Sequence, residues 1–542
     1  MSGRGRDPTP APRLAPKDPS PGRECPPSEA PVSPLPGVSR RRTVTLNAAL
    51  LYLNIALTLV QGIALVPIYL RLLPISLYGA WLATGNLIGW IELVDPGLST
   101  VLQQRTAFRY GEGDTRALGR TIGTGLLLGC AMSTLPLFAL PVARWVPGWF
   151  HITSSSDAHA LTMAFAVALV SLTLALASYV VMAVNIGLQL IGSTGFIHTV
   201  SIGISVAVTV AGLVGGLGVV AIPLGLLARN VLMFAANLAR LVTFARRQHL
   251  RLSGTRGEVG VLGKMMGYTF VVRLAVALTQ RVELLLAARL VSPAAAAVLV
   301  ITGKASEVVS LLASRIGISL SPAMSHLLGE GKRVRFAQLF GLVGRYQGAF
   351  MAVASAGVVA LNLAFVSVWV GPSNFGGRAL TFAIVLASGL AVLNSSVISL
   401  LIAAGEVRST SRVTLLEALF RLPLQIVLVW RWGLIGVPLA TIASSSFVAG
   451  SALARTLREM FADTGQAPER EWLRSAATYV AMAVAGLLAS QLFAQQRAWS
   501  WPRFGLAALA CGVAMTGLFA LLRREVVRDV AHALRHRTRS HV

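Results

Sequence analysis

Two stretches of the chain contain the same tripeptide in the same setting: RYGEGDTRALGR at Arg109–Arg120 and LLGEGKRVRFAQL at Leu327–Leu339. Each Gly-Glu-Gly follows an apolar run and precedes basic side chains, and the first glycines, Gly111 and Gly329, are 218 residues apart. The same offset aligns Arg71 with Arg289, Thr84 with Thr302, Leu93 with Leu311, and Gly123 with Gly341. We infer an internal repeat in which the tripeptide ends a helix and turns the chain, because glycine tolerates a left-handed backbone.

The composition places most of the chain in lipid. Of the 542 residues, 55% are hydrophobic and 13% are charged, and the mean hydropathy is +0.69. A soluble domain could not bury so much apolar surface. In hydrocarbon the backbone is satisfied within helices, and one crossing needs about 20 apolar residues. We therefore predict an all-α polytopic membrane protein with about 14 transmembrane helices, arranged as two pseudo-symmetric six-helix lobes plus two C-terminal helices.

The predicted crossings follow one another from Thr45 to Leu522. They are 45–70, 79–101, 120–143, 160–184, 195–215, 218–243, 265–288, 296–325, 341–369, 379–403, 413–431, 435–456, 475–494 and 503–522. The repeat offset covers six of them, an even number, so both halves keep one orientation in the membrane. The predicted domains are a disordered, basic, Pro-rich cytoplasmic tail (1–43), a first lobe (44–245), a basic linker (246–264), a second lobe (265–460), and the last two helices with a basic cytoplasmic tail (461–542).

The net charge of +26 is concentrated in alternate loops. One side of the membrane receives clusters such as those around Arg109, Arg246 and Lys332, whereas the other receives single basic residues or pairs. The positive-inside rule therefore predicts a multi-pass protein of the cytoplasmic (inner) membrane with both termini in the cytoplasm. Because the charge reports topology in this way, we expect no nucleic-acid partner.

The sequence carries no signature of a metal site or of an enzyme. Its three cysteines, Cys25, Cys130 and Cys511, lie far apart, and its eight histidines have no metal-ligand spacing. The phosphate-binding pattern GxxxxGK[ST] is absent from the sequence. We predict no catalytic residue, no metal and no cofactor.

Polar residues inside the predicted spans mark candidate functional positions, because an ionisable side chain at the bilayer centre costs about 2.5–3.5 kcal/mol on insertion scales. Asn54 and Gln61 are seven residues apart on one face of the first span, and Lys304 and Arg315 share a face of the eighth. The substrate-binding candidates are Arg273, Arg281, Lys304, Arg315, Asn54, Gln61 and Asn86. The gating or coupling candidates are Glu92, Asp95, Glu283 and Glu307.

Two interpretations compete for these residues: buried ion pairs that hold helices together, and a cavity for a ligand. The four basic candidates outnumber Glu283 and Glu307 in their two spans, which favours an anionic ligand. For the two glutamates both interpretations stay open. Glu417 and Arg421 are four residues apart, which favours a structural pair. Pro96 and Gly97 predict a helix break in the second span.

The segment LYGAWLATGNLIGWIELVDPGLSTVLQQRTAFRYGEGD, Leu77–Asp114, resembles the polysaccharide-transport and O-antigen flippase branch of the multidrug/oligosaccharidyl-lipid/polysaccharide (MOP) exporter superfamily. The residues that carry the resemblance are Tyr78-Gly79 with Trp81, Asp95 with Gly97-Leu98, and Arg105. The repeat extends the likeness to about residue 460. Fourteen spans are also typical of the lipid II flippases of the same superfamily.

The resemblance implies two lobes around a central, often cationic cavity. It implies a flippase that moves a polyprenyl-diphosphate-linked oligosaccharide by alternating access, for assembly of O-antigen, lipopolysaccharide or exopolysaccharide. Membrane lipid, that glycan, and a polymerase or export machinery would be its partners. The alternatives are a cation-coupled multidrug exporter using Glu92 and Asp95, a lipid II flippase, and a membrane-embedded glycosyltransferase or polymerase, against which the short external loops argue.

Overall fold

The computed structural model describes residues 40–493, 499–526 and 528, and these residues form helices and short connections without a strand. The predictions for the two tails fall largely on residues outside that range. Eleven described stretches are long and apolar enough to cross a membrane. One of them, Arg408–Thr464, is 57 residues long and contains two successive crossings that meet at Gly433. The predicted second and seventh spans are also helical, so all fourteen predicted crossings fall on helices.

The first half of the chain forms seven long helices. They are α1 (Arg40–Leu72), α2 (Ile75–Ile91), α3 (Leu98–Glu112), α4 (Thr115–Thr134), α5 (Ser155–Gly187), α6 (Ile191–Val214) and α7 (Ala221–Arg247). The predicted second span is therefore two helices, α2 and α3. The third span narrows to a 3-10 helix over Leu135–Trp145 because Pro136 and Pro141 remove backbone donors.

The second half repeats this plan and adds two helices. They are α8 (Arg256–Gln280), α9 (Pro293–Gly329), α10 (Arg333–Trp369), α11 (Arg378–Ala403), α12 (Val407–Trp432), α13 (Gly436–Ala443), α14 (Ser451–Phe461), α15 (Pro468–Phe493) and α16 (Trp501–Leu522). One helical turn, Glu283–Leu286, follows α8. A π-helix, Ser444–Gly450, joins α13 to α14 and completes the predicted twelfth span.

Both Gly-Glu-Gly tripeptides end a helix, as predicted. The third residue of each makes the turn, because Gly113 has φ +76° and Gly331 has φ +72°. In a residue with a Cβ, this left-handed conformation would cost about 1–2 kcal/mol. Asp114 then caps α4 by accepting a hydrogen bond from the backbone N–H of Ala117 at 2.9 Å.

The segment between α7 and α8 packs against the first half. The backbone N–H of Ser253 donates to the carbonyl of Gly119 at 3.4 Å, and that of Thr255 donates to the hydroxyl of Thr124 at 3.1 Å. We call the membrane face that carries this segment and both Gly-Glu-Gly turns the linker face, and the opposite face the distal face.

Buried amide side chains join helices inside each half. In the first group, Asn185 of α5 donates to the carbonyl of Asn237 in α7 at 2.9 Å. In the second group, Asn362 of α10 donates to the carbonyl of Thr302 in α9 at 2.8 Å. Such bonds between helices are favourable in lipid, where water cannot satisfy these groups. We call α1–α7 the first helix group and α8–α14 the second helix group.

The last two helices attach to the second group along α10. Gly344 and Gly348 form a GxxxG face that lets α15 approach closely. A Cβ at Gly344 would stand 2.6 Å from the indole of Trp472, and one at Gly348 would stand 2.4 Å from Ser475. α16 packs Met515 into the same interface.

Candidate functional site

The two helix groups touch closely in the distal half of the molecule. Gly79 of α2 lies so near α9 that a Cβ would stand 1.8 Å from the carbonyl oxygen of Pro293. In addition, the indole N–H of Trp369 in α10 donates to the carbonyl of Ile63 in α1 at 2.9 Å. Glycine at position 79 is therefore required for this contact.

Three ion pairs connect α8 to the first group on the linker side of that contact. Arg273 lies 3.4 Å from a carboxylate oxygen of Asp95, and Arg281 lies 3.7 Å from one of Glu92. At the linker face, Arg105 of α3 donates to both carboxylate oxygens of Glu258, at 2.7 and 2.9 Å. The sequence-predicted residues Arg273, Arg281, Glu92 and Asp95 are thus brought together as pairs.

Asp95 also builds the break in the second span. Its Oδ1 accepts hydrogen bonds from the backbone N–H groups of Gly97 at 2.9 Å and Leu98 at 2.7 Å, which caps α3. Gly97 has φ +106°, so the predicted break is confirmed at the residues expected to cause it. The other carboxylate oxygen, Oδ2, is the one that faces Arg273.

Arg281 and Glu92 line an open space between the groups. Their side chains are 43% and 37% exposed, although both belong to segments that lie within the membrane. A Cβ at Gly89 of α2 would stand 2.9 Å from the guanidinium of Arg281. Because Gly89 has no side chain, the guanidinium of Arg281 can lie against α2 at this position.

On α9, two predicted basic residues have different surroundings. Lys304 lies 2.7 Å from Glu307, one turn along the same helix, and close to Gly62 of α1. Arg315 has a buried Nε without a hydrogen-bond partner, and it forms no ion pair with any described residue. Of the four predicted basic residues, only Arg315 lacks an acidic partner in the described part of the chain.

These pairs correct two interpretations made from the sequence. The basic excess in the seventh and eighth spans is largely balanced, because Glu92 and Asp95 of the first group supply the missing carboxylates. The predicted pair of Glu417 with Arg421 is wrong. Arg421 instead donates to Glu283, and Glu417 accepts a hydrogen bond from the hydroxyl of Ser445 at 2.8 Å.

The three neutral candidates, Asn54, Gln61 and Asn86, have different surroundings. Asn54 is held within the first group, where its amide oxygen accepts from Thr199 of α6 at 3.0 Å. Gln61 is half-buried. Asn86 is buried, and its amide nitrogen has no hydrogen-bond partner among the described residues.

Sequence reasoning missed a basic pair in the first group, Arg229 of α7 and His198 of α6. A guanidinium nitrogen of Arg229 lies 3.0 Å from Nε2 of His198, and the Arg229 Nε is buried without a partner. The cost of a cation in lipid, applied to the predicted span 218–243, would have identified Arg229.

With Arg229 included, and apart from the pair of Glu283 with Arg421, the charged candidates comprise five basic residues and three acidic ones, Glu92, Asp95 and Glu307. The two unbalanced cations are Arg229 and Arg315. A guanidinium presents a fork of donors that fits a phosphate or carboxylate through two parallel hydrogen bonds. Within the described part of the chain, no group of three or more His, Cys, Asp or Glu side chains could hold a metal ion.

No family profile and no curated protein sequence matches the chain. Among solved structures, the lipid II flippase MurJ in an inward closed conformation superposes with a TM-score of 0.64 at 14% identity, covering 89% of this chain and 100% of that one. An inward-facing multidrug resistance MATE family transporter of the MOP superfamily has a TM-score of 0.56 at 13% identity, covering 79% and 96%. An outward-facing one has a TM-score of 0.53 at 14% identity, covering 78% and 96%. The chain therefore has the same multi-pass helical fold as these three structures.

Proposed function

We propose that the chain is a flippase that moves a polyprenyl-diphosphate-linked oligosaccharide across the cytoplasmic membrane, for assembly of cell-surface polysaccharide. The observation that carries this proposal is the excess of cations: Arg273, Arg281 and Lys304 lie where the helix groups meet, and Arg229 and Arg315 have no acidic partner among the described residues. A cation without a partner is costly at membrane depth. A diphosphate supplies the matching anion, while its polyprenyl tail stays in the bilayer.

The likeness to a lipid II flippase supports the same class of substrate. That match covers 89% of this chain, whereas the two multidrug transporters cover 79% and 78%. The fold is thus shared over more of the chain with a protein whose cargo is a lipid.

In the proposed mechanism the substrate competes with the inter-group carboxylates. When the linker-face pair of Arg105 with Glu258 separates, the diphosphate enters, is held by Arg229 and Arg315, and takes Arg273 and Arg281 from Asp95 and Glu92. Differential binding of this kind shifts the equilibrium between the two orientations of the groups. The sugar then crosses between the groups, and the site opens at the distal face, which we assign to the outside of the cell.

The competing candidate is a cation-coupled multidrug exporter that uses Glu92 and Asp95. Each of these carboxylates already faces an arginine. An arginine beside a carboxylate neutralises it and opposes binding of a cationic drug. The flippase is therefore the better-supported of the two.

Depletion of the protein in its host tests the proposal. We expect a polyprenyl-linked saccharide to accumulate on the cytoplasmic leaflet, where mass spectrometry of extracted lipids identifies the sugar. Increased drug sensitivity without any accumulating saccharide would establish the exporter instead.

A further inference from the structure

A cavity separate from the inter-group space lies in the second helix group. It has a volume of about 520 Å³ and is bounded by α11, by the π-helix with α14, and by α15. The lining residues of α15, from Glu469 to Ala476, belong to the half of that helix that lies toward the linker face, and α14 follows the π-helix toward the same face. The cavity is therefore at the depth where lipid headgroups meet acyl chains.

An acidic residue in this cavity lacks a donor. Glu469 is only 7% exposed, and its Oε2 is enclosed without a hydrogen-bond partner among the described residues. It lies in the first turn of α15 and lines the cavity together with Trp472 and Ala476. An enclosed carboxyl oxygen without a donor is costly, and an N–H group of a ligand would satisfy it.

Two arginines line the same cavity from α14. Arg455 and Arg458 are one turn apart, both are exposed, and neither forms an ion pair within the part of the chain described. Leu453 and Leu457 of the same helix are buried. The helix thus holds two guanidiniums outward at the rim, an arrangement that suits a phosphate group.

The inner wall of the cavity is apolar. Leu393 and Val397 of α11 face Trp472 of α15 across it. Trp472 is fixed by its indole N–H, which donates to the carbonyl of Phe340 at 3.2 Å. The amide of Asn394 donates to the carbonyl of Ser445 at 2.7 Å and so satisfies the wide π-helical turn that borders the cavity.

We propose that this cavity binds a glycerophospholipid of the ethanolamine class. Arg455 and Arg458 hold its phosphate, its primary ammonium donates to Glu469, and the start of an acyl chain lies against Trp472. A glycerol headgroup lacks the cation, and a choline headgroup has a cation without N–H donors. The ethanolamine headgroup alone among these three matches both the arginines and the carboxylate.

The test uses the full chain, purified in detergent and stripped of lipid. Phosphatidylethanolamine, phosphatidylglycerol and phosphatidylcholine with identical acyl chains are titrated, and the bound lipid is counted by native mass spectrometry. We expect phosphatidylethanolamine to bind about tenfold more tightly than the other two, as one charge-assisted hydrogen bond predicts. Equal binding of all three lipids would overturn the proposal.

Matched variants separate the two ends of the headgroup. Glu469→Gln should abolish the preference for ethanolamine over glycerol, whereas Arg455→Gln with Arg458→Gln should weaken binding of both lipids by about tenfold. Arg470→Gln, an exposed change on α15 outside the cavity lining, is the control and should change nothing. A preference that survived Glu469→Gln would contradict the assignment of the ammonium.

A substitution in the apolar wall tests the same site without changing any charged residue. Ala476→Phe fills the apolar wall and leaves Glu469 and both arginines in place. We expect it to displace the lipid while the protein keeps its thermal unfolding midpoint in detergent. Undiminished phosphatidylethanolamine binding by this variant would show that the lipid sits elsewhere. The result is independent of the transported substrate, since only lipid retention is measured.

Discussion

Asp95 links the local structure of the second span to the contact between the helix groups. One carboxylate oxygen caps α3 through two backbone N–H groups, and the other faces Arg273. The cap needs only an acceptor oxygen, whereas the pair with Arg273 needs the negative charge. Two substitutions at this position therefore separate the two contributions.

Asp95→Asn keeps an acceptor for the cap and loses the charge, while Asp95→Ala loses both. We expect Asp95→Ala to lower the unfolding free energy by about 1 kcal/mol more than Asp95→Asn, the usual worth of a cap. Thermal unfolding of the purified variants measures the difference. Equal unfolding midpoints for the two variants would show that the cap contributes nothing.

At this scale the sequence identified most of the charged residues but not their partners. Hydropathy marks Arg273, Arg281 and Arg315 because each interrupts an apolar run. Spacing rules detect only neighbours on one helix, so they proposed Glu417 for Arg421. The true partner, Glu283, is 138 residues away in the chain, and only the packing of the segment after α8 against α12 brings it close.

At the scale of helices, the contact of α8 with α3 and α4 at the linker face depends on Glu258. Arg105 donates two hydrogen bonds to this carboxylate, and the hydroxyl of Thr121 donates another at 2.5 Å. Glu258 precedes the predicted crossing at 265–288. The hydrogen bond from Arg105 lowers the pKa of Glu258 below its ordinary value, and the bond from Thr121 adds to this.

Because that pKa is lowered, the charged carboxylate stabilises the contact above its ordinary pKa, and this stabilisation is lost as pH falls through the lowered value. We therefore expect the contact to persist from neutral pH to about pH 4.3, the ordinary value for Glu, and to open only below it. Spin labels at Gln104→Cys and Gly260→Cys, in a background without the native cysteines, report the distance between α3 and α8.

The matched variant Glu258→Gln removes the charge at every pH and should lengthen that distance at neutral pH. Wild-type protein whose spin-label distance already increases above pH 4.3, or a Glu258→Gln variant with an unchanged distance, would contradict this account of the contact.

The turns and the break of the helices were predictable, and their finer geometry was not. The backbone preferences of proline and glycine can be recognised from the sequence alone. They predict the break at Pro96 and Gly97 and the turns at the two Gly-Glu-Gly tripeptides. The repeat, however, aligns Gly97 with Arg315, and α9 runs through that position without a break. The π-helix at Ser444–Gly450 could not be predicted from hydropathy either, because its residues are as apolar as those of an α-helix.

Across the whole molecule, the proposed direction of transport requires that the linker face lie in the cytoplasm. The side chain of Arg256 is exposed on that face, and that of Ser155 is exposed on the distal face. Each position can therefore carry a single reporter cysteine, as Arg256→Cys or Ser155→Cys. In a background without the native cysteines, an impermeant thiol reagent should label Ser155→Cys in intact cells and Arg256→Cys only after permeabilisation. Labelling in the opposite order would show that the linker face lies outside the cell and that transport runs in the opposite direction.

Translocation by purified protein tests whether Arg229 and Arg315 bind the transported lipid. Vesicles containing the full chain and a fluorescent polyprenyl-diphosphate-linked oligosaccharide are treated with an impermeant quencher, and the protected fraction is followed with time. We predict that wild-type protein and the control Arg289→Ala move the lipid between leaflets, whereas Arg229→Ala with Arg315→Ala slows movement by about tenfold or more, since hydrogen bonds to a charged group are lost. Wild-type rates in a folded Arg229→Ala, Arg315→Ala double variant would contradict the claim that these arginines bind the diphosphate.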